Sequence, residues 1–320
     1  MDSATHHQAG AKPMFLLYVY KDPGLVRNLS LNAVSITELF INWSQPDDGA
    51  SAYLVQVIGT PSLSMSVITE HVRLIDLIPG NYYTVKVSAQ DGPRQGNAET
   101  VSGFTLPNVT NNLSVSDVSI DSVSLSWDPP TGNKSSYLVE VFGTPPSSFM
   151  VDNESASITD LVPGNFYTFL VSSVSGDHTL QGKKSTISTY TVPNVINNLI
   201  LTNYTIDSIS LSWDPPTSNK SYYLVEVHGV PATNVTVVNE SVTIFNLIPG
   251  NLYNVFVSAV AGDGLLEGES SKIRYLDKLS LQLQFIFGPP VSTKIGIGSE
   301  VLPSPFIFYQ LFDNLILLIF

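Results

Sequence analysis

Residues 121–141 read DSVSLSWDPPTGNKSSYLVEV, and residues 207–227 read DSISLSWDPPTSNKSYYLVEV. Val123, Leu125 and Trp127 alternate there with Ser122, Ser124 and Ser126. A period of two places one face on a core and the other toward solvent, so the stretch is a half-buried strand. Asp128-Pro129-Pro130 then breaks the pattern, and Tyr137, Val139 and Val141 resume it. Working outward, the three tryptophans, Trp43, Trp127 and Trp213, lie 84 and 86 residues apart. Tyr53, Tyr137 and Tyr223 each follow their Trp by 10 residues; Leu77, Leu161 and Leu247 follow by 34, and Tyr83, Tyr167 and Tyr253 by 40. Identical offsets in three copies establish an internal repeat.

The copies adjoin with almost no spacer. Pro107 and Pro193 each precede the next aligned leucine (Leu113, Leu199) by six residues, and Pro23 stands in the same place before Leu29. The expected organisation is a segment 1–22 without order, units at 23–106, 107–192 and 193–278, and an unrelated hydrophobic tail at 279–320. No Gly/Ser-rich or Pro-rich linker intervenes, which predicts a semi-rigid string. Turn signals recur about every 10 residues, and no helical stripe occurs in 23–275. Seven or so short strands in about 85 residues is an all-β antiparallel sandwich pattern, expected in three tandem copies. The absence of cysteine speaks against the disulfide-paired immunoglobulin version.

The Trp on the second strand and the run Leu161-Val162-Pro163-Gly164-Asn165-Phe166-Tyr167 resemble the fibronectin type III (immunoglobulin-like) module. Matching runs begin at Leu77 and Leu247. Pro and Gly form the turn before the sixth strand, and the Tyr hydroxyl is placed to bond back to that corner's backbone. The resemblance covers roughly residues 23–275. More narrowly, the array is similar to ectodomains of receptor-type tyrosine-protein phosphatases of the eta and beta kind. It implies an extracellular, non-catalytic spacer and protein-interaction or adhesion array of a cell-surface receptor, with a protein partner. Two alternatives stay open: a fragment of such a phosphatase without its catalytic domain, and a secreted matrix or decoy protein.

Composition narrows the chemistry. Without cysteine there is no disulfide framework, no thiolate zinc site and no thiol nucleophile, which also removes the phosphatase signature from this chain. A net charge of −13, spread as −3, −5 and −4 over the three units, disfavours nucleic acid and anionic lipid. His6, His7, His71, His178 and His228 offer no metal-ligand spacing beyond the adjacent pair at the N-terminus. Asp177-His178 lacks a third partner, and Asp47-Asp48-Gly49 falls short of the six to eight oxygens that calcium takes. No phosphate-cradling glycine loop is present, and no Arg-Gly-Asp stands between the last two strands of any copy. The expectation is no cofactor, no metal and no catalytic residue. The Trp, Tyr and Leu landmarks are expected to be core, because alternation turns them inward.

Ten Asn-x-Ser/Thr sequons, at Asn28, Asn42, Asn108, Asn112, Asn133, Asn153, Asn203, Asn219, Asn234 and Asn239, favour the secretory route and an extracellular or cell-surface location. The ends point less clearly. Residues 15–20 are apolar but short for a signal core. The third copy keeps register through Ile273 and then departs from the Tyr-Thr-Val-Pro expected near 276. The final block, FIFYQLFDNLILLIF, is short for a membrane span and carries Asp313; an unrelated end segment, an anchor signal and a marginal span are its three readings.

Overall fold

Serine on one face and Val, Leu or Trp on the other make each strand amphipathic, and such strands are buried only by stacking two sheets. The structure, a computed structural model, describes residues 21–276. The readings of the N-terminal segment up to residue 20 and of the tail from 277 onward lie outside the described residues. Within the described residues the chain forms strands alone, with no helix, in three successive sandwiches.

The first sandwich holds β1 (Arg27–Ala33), β2 (Leu39–Ser44), β3 (Ala52–Ile58), β4 (Leu63–Val67), β5 (His71–Leu74), β6 (Tyr82–Asp91) and β7 (Arg94–Phe104). Its sheets run β1-β2-β5 and β4-β3-β6-β7. The second holds β8 (Asn111–Val118), β9 (Val123–Asp128), β10 (Ser136–Phe142), β11 (Ser147–Val151), β12 (Ser155–Ile158), β13 (Phe166–Val174) and β14 (Ser185–Tyr190). The third holds β15 (Asn197–Tyr204), β16 (Ile209–Asp214), β17 (Tyr222–His228), β18 (Thr233–Val237), β19 (Ser241–Ile244), β20 (Leu252–Val260) and β21 (Ser271–Leu276). Both repeat the same three-plus-four strand order.

Register carries the core. In the second sandwich Tyr137, Val139 and Val141 of β10 stand opposite Ser173, Val171 and Phe169 of β13. Each sandwich closes around its own cluster, containing its Trp, two Tyr and the Leu before the Pro-Gly turn. Trp43, Trp127 and Trp213 are at most 5% exposed and meet Tyr53, Tyr137 and Tyr223 edge-on, with centroids 5.2, 5.2 and 5.1 Å apart. Tyr83, Tyr167 and Tyr253 are fully buried, as Leu77, Leu161 and Leu247 nearly are.

β21 stays paired with β20 past Ile273, through Tyr253↔Tyr275 and Leu252↔Leu276, although the repeat text departs there. Backbone pairing tolerates the change of text, because the ladder needs strand conformation and not a particular side chain. In the first sandwich Asp91 and Arg94 pair at the ends of β6 and β7, so Gly92-Pro93 alone turn the chain.

Candidate functional site

The most strongly organised polar chemistry is the same in each sandwich and lies at the joint of its two sheets. Glu70, Glu154 and Glu240 accept the Tyr53, Tyr137 and Tyr223 hydroxyls through a side-chain oxygen, at 3.1, 2.8 and 3.0 Å. Their backbone carbonyls accept the backbone N–H of Trp43, Trp127 and Trp213 at 2.9, 3.0 and 3.1 Å. One residue thereby ties β2 to β3, and its equivalents tie β9 to β10 and β16 to β17. In the second and third sandwiches a lysine joins: Lys134 lies 3.5 Å from Glu154 and 4.4 Å from the Tyr137 ring, with Lys220 placed alike. Burial, reinforced by the Glu70 carboxylate, pushes the Tyr53 phenol up to about 12. The same two causes push Tyr137 and Tyr223 up further. The Tyr137 hydroxyl, helped by Lys134, holds Glu154 below the usual carboxylate range. In the second sandwich the two shifts favour a neutral Tyr137 phenol and a charged Glu154 carboxylate, a structural pairing and not a proton-transfer pair. The glutamates lie 27 residues after each Trp, one more offset shared by the three copies beside those of Tyr and Leu, and that repetition is the signal that marks them in the sequence.

At the opposite corner Tyr83, Tyr167 and Tyr253 each accept a backbone N–H, from Ile78, Val162 and Ile248, all at 2.9 Å. The same hydroxyls donate to the carbonyls of Thr60, Thr144 and Val230. The hydroxyl pins the Pro-Gly turn to the loop after the third strand.

The acidic pairs singled out in the sequence are consumed locally. Asp177 accepts from Ser175 Oγ at 2.6 Å and Thr179 Oγ1 at 2.8 Å; these bonds, Ser175 first, hold its carboxyl low, and none involves His178. Asp48 accepts the Gly24 N–H at 2.9 Å, which lowers its pKa, and Asp47 pairs with Arg27 at 2.7 Å. Among the described residues no group of three or more His, Cys, Asp or Glu is placed to hold a metal.

The sequon asparagines divide by what their amides do. Asn28 and Asn112 sit at a register shift in the first strand of their sandwiches, with φ of 52° and 51°, and donate to Ser44 Oγ and Asp128 Oδ2. Asn42 lies mid-strand in β2 and accepts from Ser30 Oγ. Asn108 donates to Thr131 Oγ1 at 2.7 Å. Asn153, Asn203, Asn234 and Asn239 are exposed. Asn133 and Asn219, exposed as well, donate across to the preceding sandwich, to Asn81 and Asn165.

The fibronectin type III domain model matches residues 107–189 and 193–274. The chain belongs to the fibronectin type III family. The first fibronectin type III module falls outside those matched residues yet repeats the strand order, the corner and the Trp-Tyr-Glu tie of the other two. Among similar proteins, the chicken (Gallus gallus) receptor-type tyrosine-protein phosphatase eta is 30% identical over 268 residues, 80% of this chain and 19% of that protein. Human receptor-type tyrosine-protein phosphatase H is 32% identical over 73% of this chain and 22% of its own length. Rat tenascin-R is 25% identical over 74% of this chain and 18% of its own length. The chain thus spans about a fifth of the curated relatives it matches. Among the described residues no helix is long and apolar enough to cross a membrane.

Proposed function

We propose that this chain is a non-catalytic extracellular array whose three fibronectin type III modules act as a spacer and present loops to a protein partner. The observation that carries the reading is that each module repeats one polar design, the Trp-Tyr-Glu tie and the tyrosine corner, and spends it on holding sheets together. Such scaffolds place partner contacts on exposed loops. The ten sequons support a secretory route. The test is expression in a secreting eukaryotic host with mass spectrometry of the sequon peptides. Several occupied sites are expected; none occupied would overturn the extracellular reading.

A second reading is that the array is ectodomain of a receptor-type tyrosine phosphatase, favoured by the similarity to the eta and H enzymes. In that case the chemistry belongs to other sequence. This cysteine-free chain should not hydrolyse an aryl phosphate, because the thiolate nucleophile is missing.

A further inference from the structure

The modules meet through a repeated contact. At the first joint the Asn133 backbone N–H donates to the Pro79 carbonyl at 2.8 Å, and Asn133 Nδ2 donates to Asn81 Oδ1 at 2.7 Å. Asn81 spends its own amide nitrogen inside module one, on the Thr60 carbonyl at 3.3 Å, which turns its oxygen toward the neighbour. Gly80 makes the approach possible: a Cβ there would overlap the Asn133 carbonyl oxygen. At the second joint Asn219 Nδ2 donates to Asn165 Oδ1, and a Cβ on Gly164 would overlap the Asn219 carbonyl oxygen.

Each joint has a second point of support. The Phe104 ring closes on Gly176 so tightly that a Cβ there would lie 2.8 Å from it, and Tyr190 closes on Gly262 in the same way, at 2.6 Å. One contact beside a short connection leaves a hinge, whereas two separate contacts resist both bending and twisting. Domains of one chain move relative to each other by default unless their interface is large and hydrophobic, so any restraint at these joints has to come from the paired contacts and the short connection.

We propose that this clasp sets the angle between successive modules, and that the Asn133 and Asn219 amides are its fastenings, so that a glycan at either site and a closed joint exclude each other. The sequon nitrogen that would carry the sugar is the atom that donates to the preceding module, and a sugar there replaces one of its two hydrogens and sets a bulky ring beside Asn81. The Asn133 backbone N–H and carbonyl also lie against module one, so the sugar clears that module only by a side-chain rotation that breaks the Asn133–Asn81 fastening. The glycan half rests on the extracellular reading; the clasp itself does not.

The absence of cysteine allows clean spin labelling of the full chain at Ser64→Cys in module one and Ser148→Cys in module two. Made in bacteria, without glycans, the chain should give one narrow distance distribution. Asn81→Ala and Asn133→Ala should each broaden it several-fold. Asn251→Ala removes the matching bond to Val230 inside module three, away from both joints, and should leave it unchanged. Should Asn133→Ala fail to fold, Asn81→Ala reads the joint from the other module. A broad distribution in the unaltered chain, or narrow ones in both joint variants, overturns the clasp. In chain from a secreting host, occupancy at Asn133 should coincide with a broadened distribution; full occupancy with an unchanged narrow distance overturns the exclusion. If no sequon is occupied, the extracellular reading falls, and the bacterial distances still decide the clasp.

Discussion

Single residues carry unequal shares of each module. Trp127 is 5% exposed and packs edge-on against Tyr137, so Trp127→Ala removes a large aromatic from a closed core. The expected loss is ~3–5 kcal/mol, a large part of one small domain's stability. Calorimetry should show module two melting early while its neighbours hold. Titration follows from the Tyr-Glu tie. The Tyr53 phenol is pushed up to about 12, so the folded state favours its neutral form. A raised acid stabilises fully below its unfolded value and less as pH climbs through the folded one. Module one should therefore lose stability between about pH 10 and 12, with tyrosinate absorbance and circular dichroism changing together. Glu154 runs the other way. Its lowered pKa contributes stability above the ordinary glutamate value of 4.5, and that contribution is lost as pH falls through the folded value, a decline that denaturant melts below pH 4.5 should show and Glu154→Gln should remove.

At the scale of elements, the corner hydroxyl and the final strand are the points where a single change tells most. Tyr167→Phe leaves the packing intact but deprives the Val162 N–H and the Thr144 carbonyl of a shared partner. We expect a cost of about 1–3 kcal/mol, read as a lower denaturant midpoint with an unchanged slope. β21 pairs with β20 from Ser271 to Leu276, with Ile273 and Tyr275 packed against the core of module three. A chain ended at residue 276 should retain the melting of module three, and one ended at residue 272 should lower it by several degrees. The comparison also separates pairing from text, since the ladder outlasts the repeat. Much at this scale was legible: alternation set the strands, and the Leu-x-Pro-Gly-x-x-Tyr run announced the corner. The glutamates repeat at a constant offset, but their bond to the tyrosine was not legible, because the two are 17 residues apart and only the folding of the sheets brings them together.

For the whole molecule, composition and repeat spacing already decided the class: no thiol, acidic surfaces, three copies of one alternating pattern. An all-β array follows, because amphipathic strands with turn residues between them have few other ways to bury their apolar faces. Short joins without Gly/Ser linkers also pointed to limited freedom between modules. How the joints close was not readable, since Asn133 lies 52 residues from Asn81 and both look like ordinary turn asparagines. The same text marked Asn133 and Asn219 only as sequons. Periodicity and turn chemistry are local and leave their marks along the chain. Contacts between separate turns depend on how finished sandwiches meet, so the fold of each module was written in the sequence, and only the tertiary structure decided which asparagines hold the modules together.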